Sequence, residues 1–212
     1  NCHTDRGRQA NAAPMWAAWV AYPAYRGKNK KVNDMAMRLQ GCFRYSENAQ
    51  GSKAGHFPSA ESPTLIDLES YMFWMAHKAP TGVKMKGRGY PRLKNPPQSY
   101  SRNRGEFVYA HSCAVCHGPT GQGRKLANGE YAFPPLWGSD AYNWGAGMHK
   151  VNVAAAFIKY NMPLGHPGML TLQEAWDVAA WIDSHPRPQD PRYHGGLKAT
   201  IHKFHHNRKI DY

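Results

Sequence analysis

The feature that most constrains this chain is the pentapeptide Cys113-Ala114-Val115-Cys116-His117. Its C-x-x-C-H pattern is the signature of covalent haem attachment, in which two thiols add across the haem vinyl groups and the histidine reaches the iron. The pentapeptide alone also occurs in redox and zinc sites. A predicted helix before it, Gly118 after it and a capped helix further on favour haem, so we predict a c-type haem site here.

The opposite face of this haem needs a ligand from a loop 40 or more residues downstream. Met162 fits best, because it follows a predicted helix and precedes a proline in Asn161-Met162-Pro163-Leu164. A thioether ligand favours ferrous iron and raises the reduction potential. Met148 and Met169 are rivals, and an isolated methionine is usually core filler.

The chain begins with Asn1-Cys2-His3, the last three residues of a second C-x-x-C-H pattern. We expect at least two residues, including the first cysteine, to precede it; the alternative is a chance Cys-His at a frayed terminus. Cys42 is the remaining cysteine, and Arg38 and Arg44 flank it. Positive charge favours thiolate over thiol. A lone cysteine is more often a small buried hydrophobe, and flanking arginines can be ordinary surface charge.

The pattern of the chain predicts a mainly α fold with two cytochrome-c-like haem domains. We call residues 1–80 the first unit and residues 103–186 the second unit. A Pro/Gly-rich basic linker, 81–102, joins them, and a basic His-rich tail follows at 187–212. The tail carries His194, His202, His205 and His206, for which a solvated extension is favoured over a metal site.

Four helices matter for placing these motifs. Asn33 is the predicted cap of a short helix over 34–39, and Ser62-Pro63 starts the helix that closes the first unit. In the second unit, helices are predicted over 104–112 and 151–160. Thr171 and Glu174 have capping-box spacing at the start of the last helix, and Pro186 ends it.

Charge and hydropathy exclude some functions. The 212-residue chain has a formal net charge of +13, which attracts anions of many kinds. No nucleic-acid motif accompanies the basic residues, so we expect no nucleic-acid partner. No apolar run reaches 18 residues, so we expect no transmembrane segment.

Several longer motifs resemble one family. The stretch N-A-A-P-M-W…Y-P-A-Y-R…R-L-Q-G-C-F resembles the first domain of the dihaem thiosulfate dehydrogenases, which form tetrathionate. F-P-P-L-W-G-S-D-A-Y-N-W-G-A-G-M-H and A-A-A-F-I-K-Y-N-M-P-L-G are similar to the same family. The resemblance covers roughly residues 1–185.

The resemblance implies a periplasmic enzyme with two covalently attached c-type haems. Cys2 and His3 would belong to the first haem, with His3 and Cys42 as its axial ligands, and this haem would be the active site. Cys113, Cys116 and His117 would hold the second haem, with Met162 opposite His117. Where some family members carry a lysine that competes with the methionine, this chain has Asn161, so we expect His/Met ligation. The implied substrate-contacting residues are Arg38, Ser46 and, less certainly aligned, Arg26.

The implied reaction joins two thiosulfates into tetrathionate and releases two electrons. We expect a Cys42 thiolate to hold the first haem at low potential, so that electrons pass to the second haem and on to a small cytochrome c or a high-potential iron–sulfur protein. Cys42 sulfur is also expected to bond transiently to substrate sulfur. The reverse reaction stays open. So do two alternatives: a dihaem electron carrier without substrate chemistry, and a SoxA-like sulfur-transfer cytochrome.

Overall fold

Helices make up most of the regular secondary structure in this computed structural model, which describes residues 2–205. The fold is mainly α, as predicted. The helices are α1 (Thr4–Gly7), α2 (Met15–Trp19), α3 (Met35–Tyr45), α4 (Pro63–Met75), α5 (Arg102–Ser112), α6 (Ala114–His117), α7 (Val151–Asn161), α8 (Leu172–Asp183) and α9 (Leu197–Phe204). Short 3-10 helices lie at Ala49–Gly51 and Gly147–His149. Antiparallel pairs join β1 (Ala24–Arg26) to β2 (Lys31–Asn33) and β3 (Arg124–Lys125) to β4 (Tyr131–Phe133).

Helix α3 differs from its prediction at both ends. Asp34, not Asn33, is the N-cap, because its carboxylate accepts from the backbone N of Met37 at 2.8 Å. Asn33 is instead the buried last residue of β2. The helix also runs past Leu39 to Tyr45, since Leu39 and Phe43, one turn apart, both pack into the core of the first unit. Cys42 therefore lies inside a helix rather than after one.

The remainder of the first-unit core comes from α4. Ser62 caps this helix through the backbone N of Leu65, and Pro63 occupies its first turn, as predicted. Leu65 and Met72 are its fully buried residues and meet Met35 and Leu39 of α3. The pair α3–α4 thus presents one face of α3 to the core and leaves the face with Arg38 and Cys42 for chemistry.

The second-unit core is larger and lies between α5, α7 and α8. The capping box predicted at Thr171 and Glu174 is present, with the Thr171 hydroxyl accepting from Glu174 N and the Glu174 carboxylate accepting from Thr171 N. Helix α8 ends at Asp183, three residues before Pro186. The α5–α8 crossing is tight and fixes the helix that leads into Cys113.

The segments outside the two cores are attached to them. Residues 81–101 contain no helix or strand, yet the Trp176 indole donates to Lys94 O at 3.1 Å. The described part of the tail is not solvated throughout, because His205 is buried, whereas His194 and His202 are exposed as predicted for a solvated extension. Buried Asp190 accepts from both Arg192, at 2.6 Å, and His205, at 3.1 Å. Within residues 2–205 no group of three or more His, Cys, Asp and Glu side chains could hold a metal ion; His206 lies outside the described residues.

The α5–α8 crossing gives a stability prediction. A Cβ at Gly105 would lie 2.0 Å from Asp177 O and 2.8 Å from Trp181 Cβ. Gly105→Ala must push the helices apart, so we expect a loss of about 1–3 kcal/mol in the free energy of unfolding despite alanine's better helix propensity. Denaturant unfolding measures the change. Gly27→Ala is the control, because nothing lies within 4 Å of its Cβ position; equal stability of both variants would contradict the close crossing.

Candidate active site

The second predicted site forms where α5 passes into α6. Cys113 ends α5, and α6 places Cys116 and His117 on the following turn, with His117 N donating to Cys113 O at 2.9 Å. Both thiols are free rather than joined in a disulfide. Burial and the charge of Cys116 raise the pKa of Cys113 to about 12. Cys113 is thus a thiol rather than a thiolate at neutral pH.

The His117 ring is held in one orientation. Its Nδ1 donates to Pro134 O at 2.9 Å, which leaves Nε2 as the nitrogen able to bind a metal. Burial lowers the pKa of His117, so the ring is neutral at neutral pH. Met162 follows α7 directly and packs against the second-unit core, whereas its rival Met169 is 57% exposed.

The first predicted site repeats this arrangement. The Nδ1 of His3 donates to Ala13 O at 2.7 Å, again leaving Nε2 for a metal. Burial lowers the pKa of His3, and the positive charge of Arg38 lowers it further. Burial likewise raises the pKa of Cys2, with a contribution from the charge of Cys42. His3, Cys2, Arg38 and Cys42 therefore share one electrostatic environment, although 35 or more residues separate the two pairs in sequence.

The contact that defines this site runs along one face of α3. The Arg38 guanidinium donates through Nη1 to Cys42 Sγ at 2.8 Å, one helical turn away. Arg44, the other flanking arginine, lies instead near the rings of Tyr45 and Phe57, at 5.6 and 6.0 Å. Of the two flanking arginines, Arg38 is therefore the one directed at the sulfur.

The other two predicted substrate residues border this pair. Arg26 ends β1, and its Nη1 lies 3.8 Å from the Cβ position of Gly41, next to Cys42. Burial lowers the pKa of Arg26, and so does the charge of Arg38. Ser46 caps the C-terminal end of α3 and donates its backbone N to Cys42 O at 2.8 Å. Its side chain is exposed one turn beyond the sulfur.

Lys28 is a cation at this site that sequence reasoning missed. Its ammonium donates to Gly145 O at 2.6 Å and lies 3.4 Å from the centroid of the Tyr45 ring. Desolvation is the largest cause of the lowered pKa of Lys28, which is about 7. The positive charges of Arg192, Arg26 and Arg38 also lower this pKa, and the negative charge of Asp190 opposes them. The sequence does not indicate that Lys28 is desolvated next to other cations. Its contacts are with residues such as Gly145 and Arg192, which are more than a hundred residues away in the chain.

A buried asparagine joins the two predicted sites. Asn161, which precedes Met162, donates through Nδ2 to Phe157 O and, at 3.1 Å, to Asn11 O. Asn11 lies two residues before Ala13, the acceptor of His3. The loop that orients His3 and the turn that presents Met162 are thus in direct contact.

The donor sets fit c-type haem. Each site offers a histidine whose Nδ1 is fixed by a backbone carbonyl, and the second offers two free thiols at C-x-x-C spacing. His3 and Cys42 would hold iron at the first site, and His117 and Met162 at the second. These assignments remain predictions.

A family model matches residues 101–182, which include Cys113, His117 and Met162. Its description is cytochrome C oxidase, cbb3-type, subunit III. Among residues 2–205, no helix is both long and apolar enough to span a membrane.

Two relatives share about half of their residues with this chain. A thiosulfate dehydrogenase of Stutzerimonas stutzeri (strain A1501) is 51% identical over 212 residues, which is 100% of this chain and 67% of the relative. One of Thiomonas intermedia (strain K12) is 51% identical over 208 residues, covering 98% and 64%. A thiosulfate dehydrogenase of Allochromatium vinosum is 38% identical, covering 90% and 70%.

A solved structure has the same fold. The thiosulfate dehydrogenase TsdBA from Marichromatium purpuratum, in its "as isolated" form, matches with a TM-score of 0.93 and 57% identity. The match covers 99% of this chain and 44% of the TsdBA chain. This chain therefore spans about two thirds of the length of its relatives and less than half of that structure.

The thiol assignment makes a direct prediction. Replacing both Cys113 and Cys116 by alanine removes the thioether bonds at the second site, so covalently bound haem should fall by one equivalent per chain. Mass spectrometry of the denatured protein measures this. Cys42→Ala is the control and should leave covalent haem unchanged, because Cys42 is assigned to iron and not to a vinyl group. Unchanged haem mass in the double variant would refute the attachment site.

Proposed function

This chain belongs to the thiosulfate dehydrogenase family, and we propose that it oxidises two thiosulfates to tetrathionate at the first site and passes the electrons out through the second. The observation that carries this proposal is the 2.8 Å contact of Arg38 with Cys42 Sγ beside His3. A pure electron carrier has no use for a cysteine that accepts a hydrogen bond from an arginine with further cations nearby. An enzyme that joins sulfur anions has a use for each of these groups.

When bound, the two haems supply reversible one-electron acceptors, which a two-electron oxidation needs. The chain's own residues set the order of their potentials. A Cys42 thiolate would favour ferric iron at the first site, and the Met162 thioether would favour ferrous iron at the second. Electrons would then move from the first site to the second.

The main barrier to this reaction is electrostatic repulsion, because two thiosulfate dianions must approach each other. Cations at the site lower this repulsion. Arg38 lies on α3 and contacts Cys42 Sγ, and Arg26 approaches the same helix at Gly41. Lys28 adds a third charge near these two arginines. Fixed cations reduce the repulsion between substrates and hold their sulfonate ends. Ser46, exposed one turn from Cys42, offers a neutral hydroxyl donor to the same anion.

Cys42 is proposed to act as the nucleophilic sulfur. The Cys42 thiolate and one thiosulfate would form a Cys–S–S–SO3⁻ bond as two electrons leave. The second thiosulfate would then attack the outer sulfur, release tetrathionate and restore the Cys42 thiolate, as in thiol–disulfide exchange. The Arg38 guanidinium, already bonded to Sγ, stabilises the thiolate both before and after this cycle.

The second site is suited to passing electrons to another protein. Val115, between the two haem cysteines, is 70% exposed, and Leu164, two residues after Met162, is 63% exposed. Apolar side chains at the rim of a redox site allow close contact with a partner. We propose a periplasmic location and a small cytochrome c or a high-potential iron–sulfur protein as the acceptor.

An assay of the purified holoprotein tests this function. Thiosulfate alone, with no carrier protein, should reduce the haems and yield tetrathionate, and tetrathionate should reoxidise them. Haem absorbance and product quantification follow the reaction. Thiosulfate that leaves the haems oxidised, together with a second His/Met-type spectrum at the first haem, would identify an electron carrier. A strict need for a carrier protein's cysteine would identify a sulfur-transfer cytochrome, and unchanged turnover in Cys42→Met would eliminate the covalent step.

The two flanking arginines should differ in their effects. Arg38→Gln removes a charged donor from Sγ and from the bound anion, at about 1.5–3 kcal/mol, so kcat/KM for thiosulfate should fall about 10- to 150-fold. Arg44→Gln removes the same charge two residues from Cys42 but away from the sulfur. It should change kcat/KM by no more than about twofold. Equal losses would mean that only the overall charge matters.

Lys28 gives a pH dependence. Its pKa of about 7 means that the ammonium is present below neutrality and is lost above it. Since the charged form favours anion binding, KM for thiosulfate should rise through pH 7 and level off at the KM of the uncharged form. The Lys28→Arg variant stays charged, so its KM should be low and independent of pH. The Lys28→Met variant is never charged there, so its KM should be high and independent of pH. A wild-type slope retained in Lys28→Met would assign the titration to another group.

A further inference from the structure

Asn143 is a completely buried polar residue that neither predicted site uses. It lies in the second unit, in the loop between β4 and the 3-10 helix at Gly147–His149, and none of its surface is exposed. Its Nδ2 donates at 2.9 Å both to Arg44 O and to Asn48 Oδ1, and its backbone N donates to Tyr45 O at 3.1 Å. Its Oδ1 accepts from Gly145 N at 3.0 Å.

Two of these acceptors are the carbonyls at the C-terminal end of α3. The last four carbonyls of a helix have no partner within the helix and must be satisfied from outside. At this end, Ser46 N serves Cys42 O, while Arg44 O and Tyr45 O receive donors from Asn143. The second unit therefore caps the helix that carries Arg38 and Cys42.

The loop that carries Asn143 is shaped to reach this helix end. A Cβ at Gly145 would lie 2.4 Å from Cδ1 of the Tyr45 ring, so only glycine permits this approach. The Gly145 carbonyl in turn accepts from Lys28. The loop thus contacts both the end of α3 and the cation beside it.

We propose that Asn143 is a positioning residue for Cys42: by capping the last turn of α3 from the second unit, it fixes the sulfur and Arg38 at the first site. Without this cap the last turn of α3 loses the donors at its carbonyls, and Cys42 lies only three residues before Tyr45. The first site is then complete only when the second unit is docked on it. This inference rests on the proposed assignment of Cys42 to the first haem.

The test uses the full dihaem protein and two spectroscopic signals. In Asn143→Ala, the thiolate-type low-spin signal of the first haem should shift or split, and its potential should rise, while the His/Met signal of the second haem stays unchanged. Turnover of thiosulfate should fall at least tenfold. Asn48→Gly, which removes one acceptor of Asn143 and leaves the left-handed backbone at that position unstrained, should give a milder form of the same change. If Asn143→Ala does not fold, the first-haem signal of Asn48→Gly tests the same contact.

Two controls separate positioning from general stability. Ser101→Ala removes the N-cap of α5 in the second unit, far from α3, and should lower stability without moving the first-haem signal. Asn48→Asp keeps the acceptor oxygen and should behave as wild type. A folded Asn143 or Asn48→Gly variant with the wild-type first-haem signal and potential would overturn the inference. So would an equal change of that signal in Ser101→Ala. A wild-type protein without a thiolate-type signal would instead refute the proposed ligation at the first site.

Discussion

The N–H···S contact between Arg38 and Cys42 is the interaction on which the first site depends. It requires two side chains on one face of α3, four residues apart, and therefore requires that α3 remain helical through Cys42. Both ends of the helix serve this requirement. Asp34 caps its start from within the first unit, and Asn143 caps its end from the second. The sulfur lies nearer the end at which the second unit caps the last two carbonyls of α3.

The two predicted sites follow one plan and differ at the distal ligand. Each orients a histidine through Nδ1 on a downstream backbone carbonyl, and each closes with a hydroxyl-capped helix, α4 or α8. At the first site the sulfur lies within a helix, where an arginine one turn earlier can reach it. At the second, Met162 follows the end of α7, beyond the helical spacing that would place a cation beside it. A cysteine can ionise, so at the proposed first site Arg38 can act as the counter-charge of Cys42, whereas the Met162 thioether is neutral and needs none.

Local sequence signals predicted the features that depend on local physics. Ser62 and Thr171 are recognisable as caps because a hydroxyl just before a helix can accept from a free backbone N–H of its first turn. The helix over 151–160 is recognisable from its hydrophobic periodicity alone. The cap of α3 was misplaced by one residue, because Asn and Asp are nearly equivalent there and β2 decides which of them is buried. The burial of His205 could not be predicted, since His205 and Asp190 are partners only in the folded chain.

The same limit applies to the candidate site. Cys42 and Arg38 are four residues apart, and that spacing alone makes their contact plausible on a helix. Lys28 and Asn143 are held by contacts between the two units, for which a single sequence carries no signal. The sequence therefore predicted Cys42 and Arg38, which are assigned to the reaction. It did not predict Asn143, which holds their helix in place.

The cation cluster explains why oxidation would precede entry of the second substrate. Desolvation and mutual repulsion lower the pKa values of Arg26 and Lys28, so the empty cluster is unfavourable and one dianion relieves it. A second dianion would meet a cluster already neutralised, together with the Cys42 thiolate. In the proposed cycle, loss of two electrons on forming Cys–S–S–SO3⁻ would leave a single negative charge where there were three. The positive surplus would then be restored, and the second thiosulfate would be attracted to the sulfur that it must attack.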